Sequence, residues 1–400
     1  MENLALHGGT PVRSTLLPYS RQFVSVADRE AVDEVLRSDW LTTGPKVGTF
    51  ERAFAAFVGT VEAVAVNSGT AALHSAMFAL GIGVGDEVIV PTMTFAATAN
   101  AIVFQGSTPV FVDSEPETLL IDPEKVEKAI TERTKAIIAV DYAGQPCDYG
   151  ALSAIAKAHG LPLVADACHA LGATYEGRPV GSLADMSTFS FHPVKPIATG
   201  EGGMVTTDDA NAAKRMRQFR NHCLSTDHRE RQEQGAWFYE MTDLGYNYRL
   251  SDIHCALGTS QLKQVHEWTV RRQEIAREYD DAFAAIDAVT PLAIRDNVTH
   301  AYHLYVIQLN LDQLSADRNE IFHALRAENI GVNVHYIPVH LHPFYRKKFG
   351  TQEGLCPTAE AAYARIISLP LFASMADRDT ADVIEAVRKV CECYGKRKET

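Results

Sequence analysis

Residues 136–166 decide the fold and read AIIAVDYAGQPCDYGALSAIAKAHGLPLVAD. The segment opens with an apolar run at 136–140 and continues with a helical pattern at 149–159. It then returns to an apolar run at 161–165 that ends at Asp166. Two short apolar strands that are connected through a helix lie parallel in one sheet, because the helix carries the chain back to the edge where the first strand began. The segment therefore predicts a parallel strand pair in an α/β fold.

The same alternation extends in both directions along the chain. Short apolar segments typical of strands lie at 63–66, 87–91, 109–112, 186–191 and 203–207, and helical patterns lie at 71–80, 98–104 and 123–130. Strands that alternate with helices over this length predict a doubly wound, mostly parallel sheet with helices on both faces.

The pattern changes after about residue 250. A long helical pattern runs from Ser251 to about Asp287, and it is followed by strand-like 301–309, a helix at 315–328, strand-like 332–337 and a C-terminal helix. We expect a large α/β domain over residues 1–255, which binds the cofactor described below. A smaller α+β domain is expected over residues 256–400.

Composition excludes several classes of protein. The formal net charge is −13, whereas nucleic-acid-binding proteins usually carry a basic excess, so no nucleic-acid partner is expected. Seven scattered cysteines match neither a disulfide framework nor a zinc pattern, and His335, His340 and His342 lack a metal-binding spacing, so no metal is expected. No apolar run reaches membrane-spanning length and residues 1–13 show no secretory pattern, which predicts a cytoplasmic protein without a membrane partner.

Two candidate ligand sites lie where strands end. Residues 67–73 read NSGTAAL between a strand and a helix, where the hydroxyls and the first helix N–H groups could bind a phosphate or merely cap the helix. Asp166 ends a parallel strand, the position where open α/β sheets bind ligands. Its carboxylate could hold a ring nitrogen protonated or cap the next turn, and His169 could contact the same ring or be structural.

Lys195 has unusual neighbours for a lysine. Residues 187–196 read STFSFHPVKP and residues 199–203 read TGEGG, so no other charge lies closer in sequence than Asp185 and Glu201. An amine in a partly dry pocket has a lowered proton affinity, which Schiff-base chemistry at neutral pH requires. A phosphate site, an acid and a secluded lysine in this order predict a cofactor-dependent enzyme.

With these residues the chain resembles the DegT-type nucleotide-sugar aminotransferases, which are fold-type I enzymes that depend on pyridoxal phosphate. The resemblance covers nearly the whole chain. Its motifs are SDWLTTGP at 38–45, GDEVIVP at 85–91, DACHALGA at 166–173, FSFHPVK at 189–195, GYNYRLSD at 245–252 and VHYIPVH at 334–340. The resemblance implies an aminotransferase that binds pyridoxal 5'-phosphate and acts as a homodimer with shared active sites.

The resemblance also implies roles for the matching residues. Lys195 would be the Schiff-base lysine and the proton carrier, and Asp166 would pair with the pyridinium nitrogen of the cofactor. Phe95 would stack on the cofactor ring, and His169 would contact it at a position where many members carry glutamine.

Further roles follow for the cofactor phosphate and the substrate. Thr70, the backbone of Ala71 and Ser190 would hold the phosphate within one subunit. Asn247 would reach the phosphate of the cofactor in the neighbouring subunit, so that each site needs two chains. The residues implied to contact the substrate are Arg249, Tyr336 and His340.

Two motifs bear on the substrate. FHPVKPI at 191–197 and HYIPVH at 335–340 are most similar to the pseudaminic-acid branch, which aminates C4 of a UDP-linked 4-keto-6-deoxy-N-acetylhexosamine with L-glutamate as amino donor. The UDP-4-amino-4-deoxy-L-arabinose branch and the dTDP-3- or 4-amino sugar enzymes stay open, because HGGTPVR at 7–13 is more similar to other members. The presence of Lys195 argues against a non-catalytic sugar-binding regulator on the same fold.

Overall fold

Thirteen strands are found in the computed structural model, which describes residues 3–227, 231–232 and 235–396. They are β1 (Glu62–Val66), β2 (Glu87–Pro91), β3 (Thr108–Val112), β4 (Thr134–Val140), β5 (Leu163–Asp166), β6 (Thr174–Tyr175), β7 (Arg178–Pro179), β8 (Met186–Ser190), β9 (Gly203–Thr207), β10 (Val289–Pro291), β11 (Val298–Thr299), β12 (Tyr305–Leu309) and β13 (Ile366–Leu369).

A seven-stranded sheet in the order β1-β9-β8-β5-β4-β2-β3 forms the centre of the fold. Strands β2, β3, β4, β5 and β8 pair in parallel, and β9 joins β8 and β1 in antiparallel register. Every residue of β2, β5 and β9 is buried. Because successive side chains of a strand point to opposite faces, both faces of the sheet are covered. The predicted α/β fold with a mostly parallel sheet is confirmed.

Helices separate the strands. They are α1 (Val26–Leu36), α2 (Pro45–Val58), α3 (Gly69–Ala79), α4 (Ala96–Phe104), α5 (Pro123–Ala129), α6 (Tyr149–His159), α7 (Ala210–Phe219), α8 (Asp252–Leu262), α9 (Val265–Phe283), α10 (Arg318–Ala327), α11 (Pro343–Phe349), α12 (Pro357–Tyr363) and α13 (Asp377–Tyr394). Within the described ranges, none of the helices is both long and apolar enough to cross a membrane.

The predicted single helix from Ser251 to about Asp287 was wrong. The structure has two helices there, α8 and α9. The amide of Lys263 donates to Ser260 O at 3.3 Å, and the amide of Gln264 donates to Gln261 O at 2.9 Å. These bonds reach back three residues instead of four, so they tighten the backbone and end α8 before α9 begins.

Residues 332–337 were predicted to form a strand, and this was wrong as well. Among the described residues, this segment makes one isolated bridge, between Asn333 and Ser368. The amide of Val334 donates to Oδ1 of Asn333 at 2.8 Å rather than to a neighbouring strand. An asparagine side chain that competes for a backbone amide interrupts sheet pairing.

The buried apolar side chains of the described residues form two hydrophobic cores. The first surrounds the central sheet and includes Leu262 and Val265. The second lies among α9, α10, α13 and the small sheet β10-β12-β13, and it also contains Leu4 and Leu17. The expected boundary between residues 255 and 256 falls inside α8. We propose that the smaller domain begins within α9 and includes the N-terminal segment.

Candidate active site

Asp166 is the last residue of β5, at the carboxyl edge of the parallel strands. Its side chain is buried, and its two oxygens are held by different neighbours. Thr98 Oγ1 donates to Oδ2 at 2.7 Å, and the amide of Cys168 donates to Oδ1 at 3.3 Å. The carboxylate is therefore fixed in orientation and still has lone pairs for a further donor.

Lys195 lies in the loop that follows β8. Its amide donates to His192 O at 2.8 Å, and Ser20 Oγ donates to Val194 O at 3.2 Å, so both polar groups of the peptide between Val194 and Lys195 are held. Burial lowers the pKa of Lys195, while the charges of Cys168 and Asp166 oppose this shift. The amine is thus easier to deprotonate than an exposed lysine and lies near the fixed acid.

A small cradle forms where α3 begins beside the end of β8. Among the residues that the structure describes, none accepts a hydrogen bond from the amides of Gly69 or Thr70. A Cβ atom at Gly69 would lie 2.8 Å from Ser190 Cβ and 3.2 Å from Ser190 Oγ. Free amides at a helix N-terminus next to a hydroxyl are suited to a phosphate group.

The predicted contact through the amide of Ala71 is not available. This amide donates to Ser68 Oγ at 3.0 Å, because Ser68 is the N-cap of α3. The helix begins at Gly69, two residues earlier than the sequence pattern suggested. Gly69 therefore replaces Ala71 as a candidate phosphate contact, together with Thr70 and Ser190.

The candidate site also contains two neighbouring aromatic rings, those of Phe95 and Tyr336. Phe95 is 59% exposed at the start of α4, and its ring centroid lies 5.9 Å from that of Tyr336. The Tyr336 hydroxyl lies 3.0 Å from Nε2 of the buried His169, whose Nδ1 has no hydrogen-bond partner among the described residues. The largely exposed Phe95 offers a ring face for a planar cofactor, and the unpaired Nδ1 of His169 can bond a polar group.

His169 belongs to a cluster of imidazoles that sequence reasoning missed. Its ring centroid lies 4.4 Å from that of His303. Burial first, and then the charges of Lys195 and His335, lower the pKa of His169 well below its usual range. His303 is affected in the same direction, so both rings are neutral at pH 7. No local motif marks His303, because it reaches the site only through the tertiary fold.

The remaining predicted residues lie at different distances from this centre. Asn247 is exposed, and its carbonyl accepts from Asn67 Nδ2 at 3.2 Å, next to the start of α3. Arg249 Nη1 donates to Asn221 Oδ1 at 2.8 Å.

His340 is not brought to the site. Its side chain is fully buried, and its ring nitrogens lie 2.6 Å from Thr92 Oγ1 and 2.9 Å from Glu360 Oε1. No ring nitrogen is left for a substrate, so the predicted substrate contact of His340 was wrong. Across the described part of the chain, no three His, Cys, Asp or Glu side chains are grouped to hold a metal ion.

The sequence model of the DegT/DnrJ/EryC1/StrS aminotransferase family matches residues 24–388. The chain belongs to this family. As a member of the DegT/DnrJ/EryC1/StrS family it is a sugar aminotransferase, a fold-type I enzyme that depends on pyridoxal phosphate.

Individual family members are similar over almost their full length. The spore coat polysaccharide biosynthesis protein SpsC of Bacillus subtilis is 47% identical over 380 residues, which are 94% of this chain and 98% of SpsC. PseC of Helicobacter pylori, an aminotransferase of pseudaminic acid biosynthesis, is 34% identical with a TM-score of 0.88, covering 95% and 100% of the two chains. Spr1654 of Streptococcus pneumoniae in its PMP form is 35% identical with a TM-score of 0.88, covering 94% and 99%.

The groups that this site presents fit pyridoxal phosphate. The cradle at Gly69, Thr70 and Ser190 matches a phosphate, and the fixed Asp166 carboxylate matches a protonated ring nitrogen. Lys195 supplies an amine of lowered pKa for the aldehyde, and Phe95 offers a ring face.

Gly69→Ala tests the cradle. The added methyl group would overlap Ser190 Cβ, so we expect pyridoxal phosphate to bind about tenfold more weakly or worse, as overpacking of this kind costs about 1–3 kcal/mol. The measurement is the cofactor dissociation constant from fluorescence titration of the apo-protein. Gly83→Ala is the matched control, because a Cβ there meets no atom within 4 Å. Equal affinities for both variants would contradict the assignment.

Proposed function

We propose that the enzyme transfers the amino group of L-glutamate to C4 of a UDP-linked 4-keto-6-deoxy-N-acetylhexosamine, which is a UDP-4-amino-4,6-dideoxy-N-acetyl-β-L-altrosamine transaminase activity. The observation that carries amino transfer is the amine of Lys195 beside the oriented carboxylate of Asp166. The sugar assignment is supported by the motifs FHPVKPI and HYIPVH and by the 34% identity to PseC. A cytoplasmic location stays a prediction.

We propose the following roles for the site residues. Gly69, Thr70 and Ser190 hold the cofactor phosphate, and Phe95 and His169 position the ring. The neutral state of His169 keeps a second positive charge away from the ring face.

Asp166 and Lys195 carry the chemistry in this proposal. When bound, pyridoxal phosphate supplies an electron sink that stabilises negative charge at the carbon that loses its proton. Asp166 accepts a hydrogen bond from the ring nitrogen, and Thr98 Oγ1 keeps its carboxylate in place. Lys195 Nζ removes a proton from the α-carbon of glutamate and later delivers a proton to C4 of the sugar. Its lowered pKa makes both transfers possible near neutral pH.

Arg249 and Tyr336 are proposed as substrate contacts. Arg249 is held by Asn221 and is half-buried, so its guanidinium is positioned near the segment that carries Asn247. The Tyr336 hydroxyl forms a hydrogen bond with His169 and can form a second one with a sugar hydroxyl. Both residues lie close to elements of the cofactor site, which supports this assignment.

A substrate panel tests the proposed sugar. The holoenzyme is given L-glutamate with UDP- or dTDP-linked 3-keto or 4-keto sugars, and the aminated products are measured by mass spectrometry. We expect the highest kcat/KM for the UDP-linked 4-keto-6-deoxy-N-acetylhexosamine, with ping-pong kinetics because donor and acceptor use one site in turn. Preferred turnover of a dTDP-linked 3-keto sugar would contradict the proposed substrate but not the reaction class.

We also propose that the active unit is a homodimer in which Asn247 reaches the cofactor phosphate of the other subunit. Large apolar side chains are exposed in the stretch that leads to Asn247. They are Trp237 (83% exposed), Phe238, Tyr239, Met241 and Leu244 (69% exposed). Several large apolar side chains exposed within one short stretch favour a protein–protein contact, and a second copy that covers them would approach Asn247.

The double variant Trp237→Ser/Leu244→Ser tests the dimer. We expect a monomer at micromolar concentration with weakened cofactor retention, because the variant removes apolar area that the second copy covers. Molar mass from light scattering during gel filtration is the measurement. Val61→Ser is the control, since Val61 is also an exposed apolar side chain but lies outside the stretch. A double variant that stays dimeric with full activity would refute the proposed interface.

A further inference from the structure

His303 lies on a short loop that leads into β12 and meets the turn that follows β4. The amide of Leu304 donates to Ala143 O at 3.0 Å, which ties this loop to the turn. A Cβ atom at Gly144 would lie 2.9 Å from His169 O and 3.0 Å from the amide nitrogen of His303. The backbone segments that carry the two histidines therefore converge on one glycine, and the main chain places His303 beside His169.

Each of the two imidazoles has a buried nitrogen without a partner. The ring centroids of His169 and His303 lie 4.4 Å apart, with their planes inclined by 49°. Nδ1 of both rings is shielded from solvent and has no hydrogen-bond partner among the described residues. An unpaired polar atom in a protein interior is unfavourable, and ordered water molecules commonly bond such atoms. Two unpaired nitrogens on neighbouring rings therefore indicate a site for a buried water molecule.

The charges around these rings favour a neutral ligand of this kind. Burial first, and then the charge of Lys195, lower the pKa of His303 well below its usual range, as they do for His169. Both imidazoles are neutral and can each donate or accept a hydrogen bond. The charge of Arg272 adds to the shift at His303, and Nε of Arg272 is also buried without a partner among the described residues. Arg272 thus brings a third unpaired group to the region, and a buried water typically makes about three hydrogen bonds.

A bond at Nδ1 would fix the orientation of the His169 ring. The torsion that rotates an imidazole about its Cβ–Cγ bond has a broad minimum, so one hydrogen bond leaves the ring plane poorly defined. Nε2 of His169 already lies 3.0 Å from the Tyr336 hydroxyl. A second bond, at Nδ1, would hold the ring from both sides and thereby fix the direction of the bond to Tyr336.

We propose that a buried water molecule bonds Nδ1 of His169 and Nδ1 of His303, and that His303 acts through this water as a positioning residue for the pair of His169 and Tyr336. The inference rests on the proposed function, because it uses the roles given there to His169 and Tyr336. His303 takes no part in the proton transfer.

A crystal structure of the pyridoxal-phosphate-loaded enzyme tests the water site directly. At a resolution that shows ordered water, we expect a density peak about 2.7–3.2 Å from Nδ1 of both His169 and His303. The peak should be missing in His303→Phe, which keeps an aromatic ring but has no nitrogen. Absence of the peak in the wild type would overturn the inference.

The absorption spectrum of the bound cofactor tests the positioning role without any sugar. We expect His303→Phe to shift the cofactor band, and His303→Asn, which keeps a polar atom near the position of Nδ1, to restore most of the wild-type spectrum. His300→Phe is the matched control, because His300 is buried in the same loop but its Nδ1 accepts from the amide of Tyr302. An unshifted band in His303→Phe, or an equal shift in His300→Phe, would refute the positioning role.

A double-mutant comparison separates positioning from general stability and from the proposed substrate. With the sugar acceptor, His303→Phe should lower kcat/KM about tenfold, but about threefold or less when Tyr336→Phe is already present, because the hydroxyl to be positioned is then missing. Equal losses in both backgrounds would indicate a merely structural role and overturn the inference. If the wild type aminates no UDP-linked sugar although the water and the spectral shift are found, the proposed substrate is wrong and the role of His303 stands.

Discussion

Lys195→Ala will abolish multiple-turnover amino transfer, with kcat lowered by about a thousandfold or more, because the variant has no amine to bind the cofactor covalently or to carry the proton. The cofactor should still bind through its phosphate cradle, but without a covalent link. Borohydride treatment followed by mass spectrometry of the peptides should label the wild-type peptide that contains Lys195 and leave the variant unlabelled.

Two comparisons make the Lys195 result specific. Lys214→Ala removes an exposed lysine from α7 and should retain full activity and the label on Lys195. Added methylamine should restore part of the proton-transfer rate in Lys195→Ala, since a free amine can replace the missing base. Undiminished multiple-turnover transfer by the alanine variant would contradict the whole site assignment.

Asp166→Asn is expected to lower kcat about a hundredfold while the cofactor stays bound to Lys195. Asparagine preserves the shape of the side chain and can accept from Thr98, but it cannot hold a proton on the ring nitrogen. The rate of transamination with L-glutamate in a single turnover is the direct measurement. Borohydride should still label Lys195 in Asp166→Asn, although the enzyme is slow, whereas Lys195→Ala should carry no label.

The pH dependence of cofactor capture gives an independent check on Asp166. The carboxylate raises the pKa of Lys195 against the effect of burial, so Asp166→Asn should lower this pKa below its wild-type value. The rate at which the apo-protein captures pyridoxal phosphate depends on the deprotonated amine, so its rise with pH should shift to lower pH in the variant. Thr98→Val, which removes only the orienting hydroxyl, should lower kcat less than Asp166→Asn. Wild-type kcat and an unshifted pH profile in Asp166→Asn would refute the role.

The sequence was sufficient for those parts of the fold and site that depend on local pattern. The apolar run that ends at Asp166 predicted both the parallel strand and the position of its carboxylate at the sheet edge, and the structure has β5 ending there. The loop of Lys195 was likewise recognisable, because prolines and aromatic residues surround a single charge.

Other parts could not be predicted because they depend on contacts between distant segments or on the first turn of a helix. Thr98 reaches Asp166 across 68 positions of the chain, and His303 meets His169 only through the fold. The sequence pattern placed the start of α3 two residues late, so Gly69 was not among the predicted phosphate contacts. The residue types likewise did not indicate that His340 would be buried between Thr92 and Glu360.

The hydrogen bond between Tyr336 and His169 joins two parts of the chain that lie far apart in sequence. His169 follows β5 of the central sheet, whereas Tyr336 comes from the C-terminal part of the chain, between α10 and α11. A ligand that displaces Tyr336 by a fraction of an ångström would change its hydrogen bond with His169, and with it the electrostatic environment of the cofactor. The absorption spectrum of the enzyme would then change when the acceptor binds, before the amino group is transferred.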